Sequence, residues 1–348
     1  MKYLDNGYLD IDYIMSKNLV FNYLLTGRGT GKTFGALSWA VERGQTLLFM
    51  RRTQSQLDMV TSDAFNPFKP INRFRDGHEY RFVKAGKNVI ELRDHILDED
   101  SGKMMPVGPC LGYAAALSTV QNLKGLAADD VDVIIFDECV PMPSEREVKF
   151  EDAVFRKAYE TIARNRELEG RAPLRALLMG NAGSNIACDL LLQAGVSARI
   201  ARMAANKKEE DINPQLSRGI WYLTSTPITE AKKSTALYRA SSEDYLMAEL
   251  DNQIGGSGAQ IVSRDLRGYK PFVAIGGLCV YRKKGDDERL YVSSHKSGSP
   301  VEYPYTKEGL LHFRNHAVWL RAMVWRNRIE YENVLCELLM RKIIGLDK

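Results

Sequence analysis

The chain has 348 residues, 45% hydrophobic and 26% charged, too many for one hydrophobic core and too apolar for disorder, so two domains of unequal size are expected. A formal net charge of +4 with a pI near 8.6 is too mild to argue for a polyanion partner, and any nucleic-acid site must be local. Five scattered cysteines without CxxC spacing exclude a disulfide frame or zinc site, the N-terminus "MKYLDNGYLDIDYIM" carries acids where a signal peptide is apolar, and no run approaches the roughly 18 apolar residues that span a bilayer. These features lead us to expect a soluble cytosolic protein with no membrane partner.

From Leu19 to about Gly180, short β-type runs alternate with helical stretches, which predicts an α/β fold with a parallel sheet and helices on its faces. The first strand, "LVFNYLL", leads into "TGRGTGKT" (residues 26–33) and then a helical stretch, the context that a phosphate-binding loop requires. In such a loop the backbone N–H groups of Thr26, Gly27, Arg28, Gly29, Thr30 and Gly31 and the helix N-terminus face phosphates, Lys32 reaches the β and γ oxygens, and Thr33 ligates Mg2+. Thr26 stands where the usual pattern has its first glycine, and Arg28 places a second cation inside the loop.

The second strand, "TLLFM", ends at Arg51 and Arg52, which either face a nucleotide or form a solvated strand terminus. Next comes a hairpin excursion, "EYRFVKAGKNVIEL", whose Ala85-Gly86 turn and flanking Lys84 and Lys87 make a basic tip. After the strand "CLGYAAAL", the run "VDVIIFDE" reads as a buried strand returning beside the phosphate-loop strand and ending in Asp137 and Glu138. Asp137 would hold Mg2+ and Glu138 would orient and deprotonate the attacking water. A glutamate directly after that aspartate places the chain in the additional-catalytic-glutamate branch of P-loop ATPases, the RecA/terminase-like type, so ATP should be hydrolysed.

Residues 144–168 have helical apolar spacing and predict one long surface helix closed by Gly170 and Pro173. Near its end lie Arg164 and Arg166, either a helix-dipole cap or an arginine aimed at another subunit's γ-phosphate; spacing leaves these open. The strand "LRALLMG" ends at Asn181, a candidate γ-phosphate sensor or a turn asparagine. Polarity then rises, and the Gly/Ser run in "DNQIGGSGAQ" signals a linker. Beyond it, "YKPFVAIGGLCVYRKKGDDERLYVSS" reads as two strands and the remainder as helix, continuous or broken, a small α+β domain. His312 and His316, four apart on that helix, suggest packing or surface more than metal binding. The expected division is a P-loop ATPase domain at 1–231, a linker at 232–258 and a C-terminal docking domain at 259–348.

Taken in order, "GRGTGKT", "TLLFMRR", "LSTVQNLKG", "IIFDE", "ARNRE", "LLMGNA" and "AELDNQI" resemble the DNA packaging (encapsidation) ATPases of phi29-like phages, relatives of terminase large subunits. The resemblance implies an ATP-driven, pentameric ring of identical subunits in the host-cell cytoplasm, docked transiently on the portal vertex of a procapsid and translocating double-stranded DNA inward; whether a structural RNA is a further partner the sequence leaves open. It also implies that Arg164 acts in trans, that Arg28 matches an arginine which packaging ATPases carry in this loop, and that Lys124 serves subunit coupling or DNA contact. Independently, an arginine finger at the far end of a helix favours a head-to-tail ring, and DNA gripped without sequence reading needs only cations, for which Lys84, Lys87, Lys124 and Arg146 are candidates.

A working nuclease would need clustered carboxylates for two metals on a C-terminal RNase H-like sheet. "KPFVAIGGLCVYR" has none, and Asp286, Asp287 and Glu288 are expected at a solvated turn. The expectation is therefore a degenerate RNase H-like domain that docks to DNA, portal or RNA. The alternatives are a terminase large subunit with an active nuclease and a nucleotide-gated assembly scaffold.

Overall fold

A computed structural model describes residues 2–86, 89–123, 129–142, 145, 148–252 and 259–346; Lys87, Lys124 and Arg146 lie outside them. The chain divides into two compact units, Met1–Val196 with Lys208–Gln253, and Ser197–Lys207 with Ile254–Lys348.

The first unit is built on one nine-stranded sheet. Its strands are β1 (Phe21–Thr26), β2 (Leu47–Arg51), β3 (His78–Lys84), β4 (Ile90–Asp98), β5 (Lys103–Ala116), β6 (Val133–Phe136), β7 (Arg175–Gly180), β8 (Glu210–Asn213) and β9 (Arg218–Leu223). They lie in the order β3-β4-β5-β2-β6-β7-β1-β9-β8. The six from β5 to β9 in that order pair in parallel, and the antiparallel neighbours β3, β4 and β8 extend the two edges. The central strands are buried almost throughout, because helices cover both faces and leave no residue position for water. Leu24, Phe49, Ile135, Leu177 and Leu223 pack with Leu37 and Trp39 of helix Lys32–Glu42 in a common core.

Four expectations change here. The Asp137 strand does not return beside the phosphate-loop strand, because β7 intervenes between β6 and β1. Strands β8 and β9 were not anticipated, although the apolar run in β9 is a legible signal. The long helix is shorter, Glu151–Ala163, bounded by Phe150 (φ +56) and Arg164 (φ +47) in backbone conformations that cannot continue an α-helix. Residues 232–252, expected as linker, form short helices (Pro227–Lys232, Ala236–Arg239 and Glu243–Glu249) and belong to the first unit, because the chain returns to the end of β1. The hairpin β3–β4 is present as expected.

The second unit carries a six-stranded sheet of β10 (Gln260–Ile261), β11 (Tyr269–Ile275), β12 (Leu278–Lys283), β13 (Asp286–Ser293), β14 (Val301–Tyr303) and β15 (Ile329–Tyr331), ordered β10-β15-β13-β12-β11-β14. Strands β11 to β13 form an antiparallel meander, whereas β14 runs parallel to β11 and β15 parallel to β13. The expected pair of strands is thus three, turning at Gly276-Gly277 and at Lys284-Gly285, and Asp286 opens β13 instead of sitting in a turn. The expected terminal helix is broken into Lys307–His316, Val318–Trp325 and Val334–Ile344, with β15 between the last two. Arg314 and Arg321 donate to the carbonyls of Ile343, Lys342 and Ile344, closing the last helix. The His316 ring faces the carbonyl of His312. Among the described residues no helix is long and apolar enough to cross a membrane, and no group of three or more His, Cys, Asp or Glu side chains is arranged to hold a metal.

Candidate active site

The site forms where β1, β7 and β6 end side by side. Thr26 is the last residue of β1, so its backbone is extended and needs no glycine. Its hydroxyl lies 2.6 Å from the Thr30 hydroxyl, donates to the Gly27 carbonyl at 3.0 Å and accepts from Lys32 Nζ at 3.0 Å. The threonine thus knits the loop with its side chain. The close approach falls on Gly27 instead, where a Cβ would meet the Leu250 carbonyl oxygen at 2.0 Å. Gly31 (φ +86) then turns the chain into helix Lys32–Glu42.

Lys32 also donates to the Gly27 carbonyl at 2.8 Å. Enclosure of its ammonium pushes its pKa down to about 8, against the opposing pull of Asp137 and Glu138. The Thr33 hydroxyl donates to both carboxylate oxygens of Asp137, at 3.1 and 3.0 Å. A hydroxyl and a buried carboxylate in contact beside a phosphate loop are the oxygen donors that Mg2+ takes, so these residues fit that ion. Burial raises the Asp137 pKa, and the guanidinium of Arg51 pulls it back.

Arg51 clasps both acids, Nη2 to Asp137 at 2.9 Å and Nη1 to Glu138 at 2.6 Å. It is a buried member of the site and not a solvated strand end. Arg52 is buried too, paired with Glu151 and with Glu145. Glu138 sits at φ +54, a conformation rare for glutamate, and its side chain remains 64% exposed. Lys32, Thr33, Asp137, Glu138 and Asn181 line one cavity of about 460 Å³, with Phe34 on its wall. Asn181, between the other two strand ends, accepts from the Gly183 N–H at 2.9 Å as the cap of the following turn.

Arg28 also lines the cavity, and its guanidinium is paired with Glu249, while its N–H donates to the Glu249 carbonyl at 2.7 Å. The Lys232 ammonium packs against Gly29. Arg164 is exposed and is not among the residues lining the cavity. Arg166 is committed elsewhere: it is buried and donates to the Val131 carbonyl at 2.6 Å. Lys84 is exposed at the end of β3, away from the cavity. Sequence reasoning therefore left Arg51 open between a place at the site and a solvated strand end, and gave "AELDNQI" no role, although that motif supplies Glu249, Leu250 and Asn252.

The family model of the podovirus DNA encapsidation protein (Gp16) matches residues 5–273. No curated protein matches the chain. Among solved structures, "The bacteriophage Phi-29 viral genome packaging motor assembly" is similar with a TM-score of 0.64 and 17% identity, over 98% of this chain and 99% of that one. "The Phi-28 gp11 DNA packaging Motor" is similar with a TM-score of 0.58 and 16% identity, over 98% of both chains. At these identities the likeness establishes a shared fold. With the family model running from the N-terminal segment through the whole phosphate-loop unit and into β11, the chain belongs to the podovirus DNA encapsidation (Gp16) family.

Proposed function

We propose that the chain is an ATP-driven motor that packages double-stranded DNA into a procapsid as a homo-oligomeric, pentameric ring in the host-cell cytoplasm. The observation that carries this reading is the convergence of Lys32, Thr33, Asp137, Glu138 and Asn181 on one cavity. The loop N–H groups and Lys32 bind the phosphates. Thr33 and Asp137 would hold Mg2+, which would neutralise phosphate charge there. Glu138 accepts the proton of the attacking water, and Asn181 senses the γ-phosphate.

Arg164 completes a neighbour's site in trans. Its exposure and its position off its own cavity support that role, and a head-to-tail contact of this kind closes into a ring. Lys84, Lys87, Lys124 and Arg146 grip DNA phosphates, and the C-terminal unit, a degenerate nuclease-like fold, docks to DNA, the portal or a structural RNA. Cleavage of plasmid by the full chain with manganese would overturn the degenerate-nuclease part.

The test uses two variants. Glu138→Gln should bind ATP with unchanged affinity while its hydrolysis falls by about 10²–10⁴, the usual worth of a general base; hydrolysis at the wild-type rate would overturn the reading. Arg164→Ala should also be inactive alone. Mixed with Glu138→Gln subunits it should regain part of the activity, because an intact Glu138 meets an intact arginine wherever its neighbour is a Glu138→Gln subunit. Absence of recovery would overturn the action of Arg164 in trans.

A further inference from the structure

The segment that closes the first unit ends at Asn252, whose side chain is fully buried and whose backbone is left-handed (φ +48). Its Nδ2 donates to the carbonyls of Leu25, at 3.0 Å, and Leu223, at 3.3 Å, the ends of β1 and β9. Its Oδ1 accepts from the Gly183 N–H at 3.2 Å. Two carbonyls on one side and an N–H on the other fix which end of the carboxamide is which. The Tyr222 hydroxyl donates to the Asn252 carbonyl at 3.1 Å, so the residue is held at main chain and side chain together.

The Gly183 N–H is the same donor that Asn181 accepts, at 2.9 Å. One amide is thus shared between two carboxamides. If Asn181 turns toward a phosphate it abandons Gly183, and a partly buried N–H left without an acceptor carries a cost. Asn252 removes that cost, because its own oxygen is already in place. The same side chain fixes the Leu25 carbonyl immediately before the phosphate loop, while Leu250 and Glu249, two and three residues earlier, touch Gly27 and Arg28.

We propose that Asn252 is a positioning residue for Asn181: it shares the Gly183 amide so that the Asn181 side chain can exchange its cap for the γ-phosphate, and it ties that exchange to the end of β1. The proposal rests on the reading of Asn181 as a γ-phosphate sensor. It assigns to "AELDNQI" the work of linking the sensor turn and the phosphate loop to the point where the chain leaves the first unit.

Asn252→Gly tests it, because glycine tolerates the left-handed backbone and only the side chain is lost. In the full-length protein, calorimetric affinity for MgATP over MgADP should fall about fivefold to tenfold, the worth of one to two hydrogen bonds, with ADP affinity unchanged. The KM for ATP should rise in parallel, and the turnover number should fall. In an Asn181→Ala background the same substitution should change none of these quantities further, which a merely structural role would not produce. Equal losses in both backgrounds, or a lowered Tm with an unchanged preference for ATP, would overturn the proposal. Should Asn252→Gly not fold, Tyr222→Phe removes one supporting bond and should give the same signature at about twofold to fivefold; an unaltered ATP preference there would count against it. If the wild-type chain fails to hydrolyse ATP, the motor reading falls, while the nucleotide-affinity cycle still decides the coupling of Asn181 and Asn252.

Discussion

The cavity is held on its two flanks by arginine–acid clasps of opposite character. On the β2–β6 flank, Arg51 and Arg52 are buried and pair with Asp137, Glu138, Glu145 and Glu151. On the phosphate-loop flank, Arg28 pairs with Glu249 while half of its side chain stays in water. The chemistry is the same and the energetics are not. A buried pair has already lost its hydration, so removing one partner strands a charge. A pair with one partner half in water contributes less, although Glu249, at 15% exposure, still depends on Arg28 for its neutralisation. The β2–β6 flank is therefore the fixed wall of the site, and the phosphate-loop flank is the one whose contacts exchange cheaply.

The largest expected effect belongs to the buried flank. Arg52 and Glu151 are each 1% exposed at the side chain, so Arg52→Ala should lower the free energy of unfolding by about 3–5 kcal/mol, read from urea denaturation. A loss below about 1 kcal/mol would mean that the two flanks do not differ in kind.

Between the flanks stands Lys32, with a pKa pushed down to about 8 by its enclosure. The charged ammonium is the form that binds phosphate, and its population falls as pH rises through 8. ATP affinity of the nucleotide-free protein should accordingly decrease above pH 8, by up to about tenfold per pH unit, with proton uptake on binding. A flat affinity from pH 7 to 9.5 would show that Lys32 remains fully charged.

The smallest effect on stability is expected at the exposed flank. Arg28→Ala should lower unfolding free energy by less than Arg52→Ala does, about 1–2 kcal/mol, because Arg28 is half in water while Glu249 is not, and leave ATP binding nearly intact, while DNA-stimulated turnover falls. Normal stimulated turnover would leave Arg28 a loop anchor with no part in coupling.

The parts of this site that could be read from the chain are those in which local sequence and geometry coincide. A phosphate loop is contiguous, so "GRGTGKT" announces its own shape, and Asp137 and Glu138 follow a run of apolar residues that only a buried strand explains. Asn181 is legible as the end of another such run. What escaped reading depends on distant partners. Arg51 and Arg52 at a strand end could face either a nucleotide or water, and only the acids that β6 and the segment after it bring alongside decide the matter. Asn252 stands between polar residues and resembles a turn asparagine until the ends of β1 and β9 close on it. The limits of helix Glu151–Ala163 are set by backbone conformations at Phe150 and Arg164, which the periodicity of apolar residues does not register. In the tail, β15 is three residues long and pairs with strands far away in sequence, so its neighbours' helical pattern hides it.

Thr26 has a consequence for the chain before it folds. Glycine at the start of a phosphate loop leaves many conformations open in the unfolded state, and each must be given up on ordering. A β-branched residue with a restricted χ1 has fewer to lose. By ending β1 in a threonine whose hydroxyl then meets Thr30 and Lys32, the protein enters its nucleotide-ready shape with less disorder to shed. In the proposed motor, less of the energy of binding a phosphate would then go into ordering the loop.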